Sequence, residues 1–399
     1  MKVLQINANY GFGSTGIIMR DIGETLTSNG HEAFFAYQKS NADVDNGYVI
    51  GNLLDWKFHA LFCRLLGGQG FYSRRATKKL CRHIETISPD IVHLHNLHSN
   101  YVDLGILLEY LAKHDIPTVI TMHDCWYFTG KCFHYVDVGC EGYKNGCGNC
   151  PKKMALPASY IFDRSKKDLL LKDKALHAIP HLTFVGCSKW IISQAKDSIL
   201  QDLTIKQVYN GVDTEIFKPL DAIKMKEKFG IDERYVVLGM ANKWCTLQNE
   251  PLIKKVSELP NTVLMIIGCK EQDTRKLKEI NPKIISLGYI SDRHQLAMYY
   301  SMADVFVNLT LADTLPTVNM ESICCGTPVI TYDSCGSPEL IDGDSGIVVP
   351  AGQHEEVIKA IHLSKKMDWS KCRQSGLRKF DKRYCYQQYI DIYESISVE

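Results

Sequence analysis

Short runs of apolar, often β-branched residues alternate along this chain with longer stretches whose apolar positions recur every three or four residues. The first pattern reads as buried strands, the second as helices. In the first half the strand runs fall at residues 3–7, 31–37, 90–95, 117–122 and 181–187; in the second half they fall at 235–240, 262–267, 284–287, 305–309 and 329–332. Most are apolar throughout rather than alternating, which points to parallel sheets covered on both faces. The clearest helix carries Ile18, Ile22 and Leu26 on one face and ends at Gly30. Residues 102–113, a charged stretch at 152–178, a helix capped by Ser188, and a last helix over 380–396 complete the reading. Ser337-Pro338-Glu339 reads as one more helix start. The rhythm restarts after the turn signal Asn210-Gly211, so the chain is read as α/β with two domains. The first spans 1–208 and is completed by the C-terminal helix, 380–399; the second spans 209–379.

The stretch from Ser301 to Glu339 carries the most chemistry. It reads as strand, polar loop, helix and strand, with Asp313 in the loop, Glu321 in the helix, and Gly326 and Pro328 closing it. In open α/β sheets ligands sit at the carboxyl ends of the strands, where this loop lies. Ionised carboxylates accept hydrogen bonds from the adjacent hydroxyls of a sugar. The helix start, which the segment Leu315-Pro316-Thr317 forms, offers free N–H groups and a positive dipole end to a phosphate. Together these imply a sugar nucleotide.

Asp313-x7-Glu321 followed by Cys-Gly326-Thr-Pro328-Val-Ile resembles the acidic signature of the retaining family 4 glycosyltransferases, usually Glu-x7-Glu and then Ala-x-x-Gly-x-Pro-Val. Asn210-Gly-Val-Asp213 with Phe217-x-Pro219 resembles the linker between the two domains of those enzymes. The resemblance implies a GT-B fold, two Rossmann-like parallel-sheet domains facing a cleft. It further implies transfer of a hexose, with retention, from a UDP or GDP sugar to a glycan or polyprenyl-diphosphate-linked acceptor. Glu321 would hold the ribose, and Asp313 and His123, after the strand at 117–122, would position the transferred sugar. Where the family carries an Arg and, five residues on, a Lys against the diphosphate, this chain has Lys243 and Gln248. One cation is kept and one lost. No cofactor beyond the donor is implied for catalysis, and no Asp-x-Asp pair is read beside the diphosphate.

Tyr10 to Gly16, YGFGSTG, follows the first strand and opens the first helix, so Gly11-x-Gly13-x-x-Gly16 formally matches a dinucleotide fingerprint. An NAD-dependent oxidoreductase is the rival reading. Against it, the second strand ends in Tyr37-Gln38-Lys39, with no carboxylate for the ribose. In the family such a loop closes over phosphate or acceptor, which gives Gly13, Ser14, Thr15 and Gly16 a binding role. A catalytically silent pair of domains that binds a sugar nucleotide is a second alternative, suggested by Gln248. His93 and His95 share a strand face, and Asp124 beside His123 is placed to orient its ring.

Cys132, Cys140, Cys147 and Cys150 lie between strands, the last two as Cys-x2-Cys with Gly146 and Gly148 supplying tight turns. That pattern suits a structural zinc ion, free thiols or a disulfide, and a closed four-thiolate site would have no catalytic position. From Trp56 to Ile84 there is no acid, while Lys57, Arg64, Arg74, Arg75, Lys78, Lys79 and Arg82 are basic and aromatic residues lie among them. A local anionic contact, such as a membrane surface, or a solvated helix face accounts for it. Net charge is +1, which argues against a dedicated nucleic-acid binder. Scattered cysteines and an N-terminus without a secretory pattern lead to the expectation of a cytoplasmic protein, peripheral at the inner membrane face.

Overall fold

The computed structural model describes residues 1–397 and divides at the Asn210-Gly211 turn: Met1–Asn210 with the chain from Arg383 onward form one unit, Gly211–Lys382 the other. The first unit begins with β1 (Lys2–Tyr10), on which Val3, Leu4 and Ile6 are fully buried. Burial on both faces requires cover on both, which parallel strands obtain from helical crossovers. The crossovers here are α1 (Gly13–Ser28), the pair α2 (Leu53–Leu66) and α3 (Arg74–Ile87), α4 (Leu104–Lys113), α5 (Ser165–Leu176) and α6 (Lys189–Lys196). They connect β2 (Glu32–Ser40), β3 (Gly47–Val49), β4 (Ile91–Leu94), β5 (Thr118–Met122), β6 (Leu182–Gly186) and β7 (Thr204–Gln207). All pairings are parallel, in the order β3-β2-β1-β4-β5-β6-β7. The order reverses between β1 and β4, so the loops after β1, β4 and β5 share one carboxyl edge.

The second unit repeats the plan. Its helices are α7 (Ile223–Phe229), α8 (Ala241–Trp244), α9 (Glu250–Ser257), α10 (Glu271–Ile280), α11 (Arg293–Met302), α12 (Thr317–Cys324), α13 (His354–Ser364) and α14 (Trp369–Phe380). Its strands are β8 (Tyr235–Met240), β9 (Thr262–Ile267), β10 (Ile285–Leu287), β11 (Val305–Asn308), β12 (Val329–Tyr332) and β13 (Gly346–Val349). They pair in parallel in the order β10-β9-β8-β11-β12-β13, with the switch between β8 and β11.

The last helix, α15 (Lys382–Ser397), returns to the first unit. Cys385, Tyr386, Tyr389 and Tyr393 are buried on it, in one core with Ile22, Val119 and Val185. Tyr393 and Tyr389 place their hydroxyls 2.7 Å from His93 Nδ1 and 2.9 Å from Thr121 Oγ1.

Two expected elements come out shorter. The helical stretch at 152–178 is helical only from Ser165: Pro157 removes a backbone donor, and Asp163 Oδ1 accepts the Ser165 N–H at 2.9 Å, setting the start there. Pro338 opens a single 3-10 turn, Pro338–Leu340, which the Ser337 hydroxyl does not cap.

Candidate active site

At the carboxyl edge of the first unit, the glycine loop turns β1 into α1. Gly11 and Gly13 have φ of +74° and +65°, and a side chain at Gly16 would put its Cβ 3.1 Å from the Asn9 carbonyl oxygen. Phe12 at the N-cap offers no side-chain acceptor, so the first-turn N–H groups of α1 are left to a ligand. Thr15 Oγ1 receives the Asn7 amide at 3.2 Å, and Ser14 is exposed. After Glu32, β2 holds no acidic residue.

His123 follows β5 on the same edge and is half-buried. Gln5 Nε2 donates to the Met19 carbonyl at 3.0 Å, which turns its Oε1 toward His95 Nε2 at 3.1 Å. His95 therefore donates from Nε2, and its bare Nδ1 accepts from His123 Nε2 at 3.0 Å. His123 is thus the Nε2–H tautomer, with Nδ1 an acceptor for a hydroxyl. Burial holds its pKa down, at about 4, and keeps His95 well below the ordinary imidazole value.

Asp124 does not orient His123, as the sequence suggested. Its Oδ2 lies 2.9 Å from His98 Nε2, and its Oδ1 accepts the Trp126 N–H at 2.9 Å, capping the turn Cys125–Phe128. All four ring nitrogens of His93 and His95 are engaged within the fold: His93 bonds Tyr393 and Thr121, and His95 bonds Gln5 and His123.

In the second unit, Lys243 is carried by α8 directly after β8. The indole of Trp244 fixes that turn, its Nε1 donating to the Val307 carbonyl at 2.8 Å from a fully buried position. Asn249 donates to the Lys243 carbonyl at 2.8 Å and meets His354 Nε2 at 3.1 Å. A cavity of about 450 Å³ opens here, lined by Lys243, Gln248, Ala312, Tyr332 and His354 among others. It lies at the β8/β11 switch point.

Glu321, on α12, accepts from the Tyr300 hydroxyl at 3.3 Å and feels the charge of Arg293. Burial pushes this carboxyl up to about 7, against the pull of Arg293. Sequence reading missed Arg293 and Tyr300. Their spacing of seven on one helix is the signal, because it places both on one face two turns apart.

The loop between β11 and α12 is partly self-engaged. Asp313 Oδ1 accepts the Leu315 N–H at 3.1 Å, so the expected donor at Leu315 is occupied, and Pro316 has none. The open N–H donors at the start of α12 begin at Thr317, where no side chain caps the helix. Around this loop lie four buried polar atoms without a partner: Thr314 Oγ1, Asn319 Nδ2, Tyr332 OH and Ser337 Oγ. Buried polar groups are almost always satisfied, so four close together in sequence and fold point to a polar ligand. An Asp-x-Asp pair, Asp342-Gly-Asp344, does occur after this region. Asp342 is committed to Ser375 at 2.7 Å and Lys379 at 2.8 Å, which hold its pKa well below the carboxylate range.

Cys132, Cys140, Cys147 and Cys150, weighed above as a zinc site, free thiols or a disulfide, are all free thiols. Cys132 and Cys150 are in sulfur contact, whereas Cys147 Sγ takes the Gly130 N–H at 3.3 Å and Cys140 Sγ the Gly142 N–H at 3.4 Å. Among the described residues no group of three or more His, Cys, Asp or Glu side chains is placed to hold a metal ion.

Two family profiles match the chain: Glycosyltransferase Family 4 over residues 15–216, and Glycosyl transferases group 1 over residues 240–363. The glycosyl transferase WcaC of Escherichia coli, assigned to colanic acid biosynthesis, is 24% identical, across 99% of this chain and 100% of that protein. Sucrose-phosphate synthase from Thermosynechococcus elongatus superimposes with a TM-score of 0.69 at 14% identity, covering 99% of this chain and 98% of that one. Anabaena HepE, solved in complex with UDP and glucose, superimposes with a TM-score of 0.67 at 14% identity, over 99% and 100% of the two chains. With a family profile spanning half its length and two parallel-sheet α/β units of the GT-B type, the chain belongs to glycosyltransferase family 4 and is an enzyme of the hexosyltransferase class.

Proposed function

We propose that the enzyme moves a hexose from a nucleoside-diphosphate sugar to a glycan or polyprenyl-diphosphate-linked acceptor, with retention at the anomeric carbon, in the assembly of a cell-surface polysaccharide. The observation that carries the donor is the unpaired quartet Thr314, Asn319, Tyr332 and Ser337, of which Tyr332 lines one cavity with Lys243. A sugar nucleotide supplies the hydroxyls, phosphates and base edges that such atoms lack. UDP is the favoured nucleotide, because HepE binds UDP on the same fold. The colanic acid assignment of WcaC, which aligns end to end, supports the polysaccharide role. Retention follows from family membership.

In this reading Lys243 and the open N–H groups at the start of α12 face the diphosphate, where a fixed cation and fixed dipoles stabilise charge developing on the leaving group. Glu321 accepts from the ribose hydroxyls. The bare Nδ1 of His123 accepts from a hydroxyl of the hexose, and the first-turn N–H groups of Gly13, Ser14, Thr15 and Gly16 bind phosphate or acceptor. Asp313 acts chiefly through the loop it caps.

A thermal-shift panel of UDP, GDP and their sugars tests the donor site, since a ligand of the folded state raises stability by about 2.7 kcal/mol at a hundredfold excess over its Kd. UDP compounds are expected to raise the Tm of the wild type and to lose most of that effect with Glu321→Ala. A shift with NAD and none with any nucleotide sugar would sink the proposal.

A further inference from the structure

The cavity at the β8/β11 switch point is short of positive charge for a diphosphate. Among the described residues that line it, Lys243 is the one fixed cation and none is an acid; Gln248 is neutral. A diphosphate brings more than one negative charge, and an anion taken out of water needs each charge met.

His354 stands on the same wall. It is the first residue of α13 and is partly buried. Two hydrogen bonds in series fix its ring. Asn249 Nδ2 donates to the Lys243 carbonyl at 2.8 Å, which leaves Asn249 Oδ1 for His354 Nε2 at 3.1 Å. An amide oxygen only accepts, so Nε2 carries a proton in every state of the ring. Among the described residues Nδ1 meets no partner. A second proton can therefore settle on Nδ1 without breaking a bond, and it turns His354 into a cation. Imidazole is the side chain that makes this change near neutral pH.

Two further features favour an anion beside the ring. Gln353, the N-cap of α13, offers no side-chain acceptor, and its carbonyl takes the Glu356 N–H, which leaves the His354 and Glu355 N–H groups open. Tyr332 is 2% exposed, lines the cavity, and has a hydroxyl without a partner.

The charges around His354 do not already serve it. On its own helix Glu355 and Glu356 follow it, and each is paired with a lysine, Lys255 of α9 and Lys359. Glu250 opens α9 and is exposed, and α8 brings Lys243. Strand β13 carries no titratable side chain, and β12 contributes Tyr332. A diphosphate held against Lys243 would be the anion that favours the charged ring.

We propose that His354 is the second cation of the donor site: Nδ1 takes a proton from solvent as the diphosphate binds and donates it in a hydrogen bond to a phosphate oxygen, partly replacing the cation absent at Gln248. This rests on the sugar-nucleotide reading above. Titration calorimetry of UDP against the full-length protein at pH 7, in two buffers of different ionisation enthalpy, counts the protons taken up on binding. Glu321 and UDP itself exchange protons as well, so the quantity read is the difference between wild type and His354→Gln, which keeps a donor for Asn249 and cannot become charged. Wild type should take up roughly half a proton more than the variant. Between pH 6 and pH 8 its UDP affinity should fall by about tenfold more than that of the variant. His354→Lys supplies a fixed cation and should bind UDP at pH 8 more tightly than wild type, with the extra pH dependence gone. A residue that merely supported Asn249 would not be rescued in this way. Equal proton uptake by wild type and His354→Gln, or a lysine variant that binds no better than the glutamine variant, would overturn the proposal and leave the donor site standing. Wild type that binds no UDP at any pH would overturn the donor reading and this proposal together.

Discussion

His95 Nδ1 and His123 Nε2 lie 3.0 Å apart, and the proton between them belongs to His123 because Gln5 forces His95 to donate from its other nitrogen. Nitrogen-15 spectra of the imidazoles should show His123 as the neutral Nε2–H tautomer at pH 7. Its folded pKa, about 4, lies below that of an unfolded histidine, near 6.5. The neutral ring's contribution to stability is complete above about 6.5 and is lost as pH falls from there through 4. His95→Phe removes the acceptor and should mix the His123 tautomers; a spectrum unchanged by it would break the relay.

Glu321 should show opposite effects on stability and binding. The unfolded carboxyl ionises near 4.5, the folded one near 7, so the folded protein holds a proton that the unfolded chain releases between those values. Stability contributed by this group is complete below 4.5 and falls as pH rises through 7, by on the order of 3 kcal/mol. Glu321→Gln has no such loss. Urea unfolding should find it more stable than wild type at pH 8 and similar at pH 4, while its UDP affinity drops about tenfold to a hundredfold through the weaker acceptor. Equal stability at both pH values would count against the burial argument.

These two residues also show what the sequence carries. Their places in the fold were legible, His123 directly after a buried strand and Glu321 in the helix that follows one, and strand runs such as 262–267 and 329–332 match β9 and β12 residue for residue. What holds them was not legible. Gln5 and His95 are 90 residues apart, and the charge of Arg293 acts on Glu321 from another helix. Contacts of that range depend on sheet order, which periodicity does not encode. The cysteine spacing left zinc, free thiols and a disulfide open for a related reason: it shows that thiols are near in sequence, not that Cys140 and Cys147 meet backbone donors.

Lys243 and Gln248 line one cavity, so in the proposed donor site Lys243 meets the diphosphate without the usual second cation. Lys243→Ala should lower kcat/KM by about a hundredfold to a thousandfold, as loss of a single oxyanion partner does elsewhere. Gln248→Lys should tighten UDP binding and make it more sensitive to salt, because the added interaction is a screened charge pair. Titration calorimetry at two ionic strengths reads both effects; a Gln248→Lys enzyme with wild-type affinity at low salt would place position 248 away from the diphosphate.

Gly239 tests whether the Lys243 turn is set by Trp244. An added Cβ at Gly239 would lie 2.2 Å from Trp244 Nε1, inside the atom that donates to the Val307 carbonyl. The indole is fully buried and cannot swing to solvent, so Gly239→Ala must displace it and break a buried hydrogen bond. The expected cost is about 3 kcal/mol in urea unfolding, with UDP affinity falling as well because Lys243 is the neighbouring residue. Trp244→Ala removes all three clashing ring atoms, Nε1, Cδ1 and Cε2, at the expense of the bond to Val307. In the Trp244→Ala background Gly239→Ala should therefore cost far less than it does in wild type, a non-additivity that only contact between the two positions produces. Strictly additive losses would show that Gly239 is small for some other reason and that the turn is held from elsewhere.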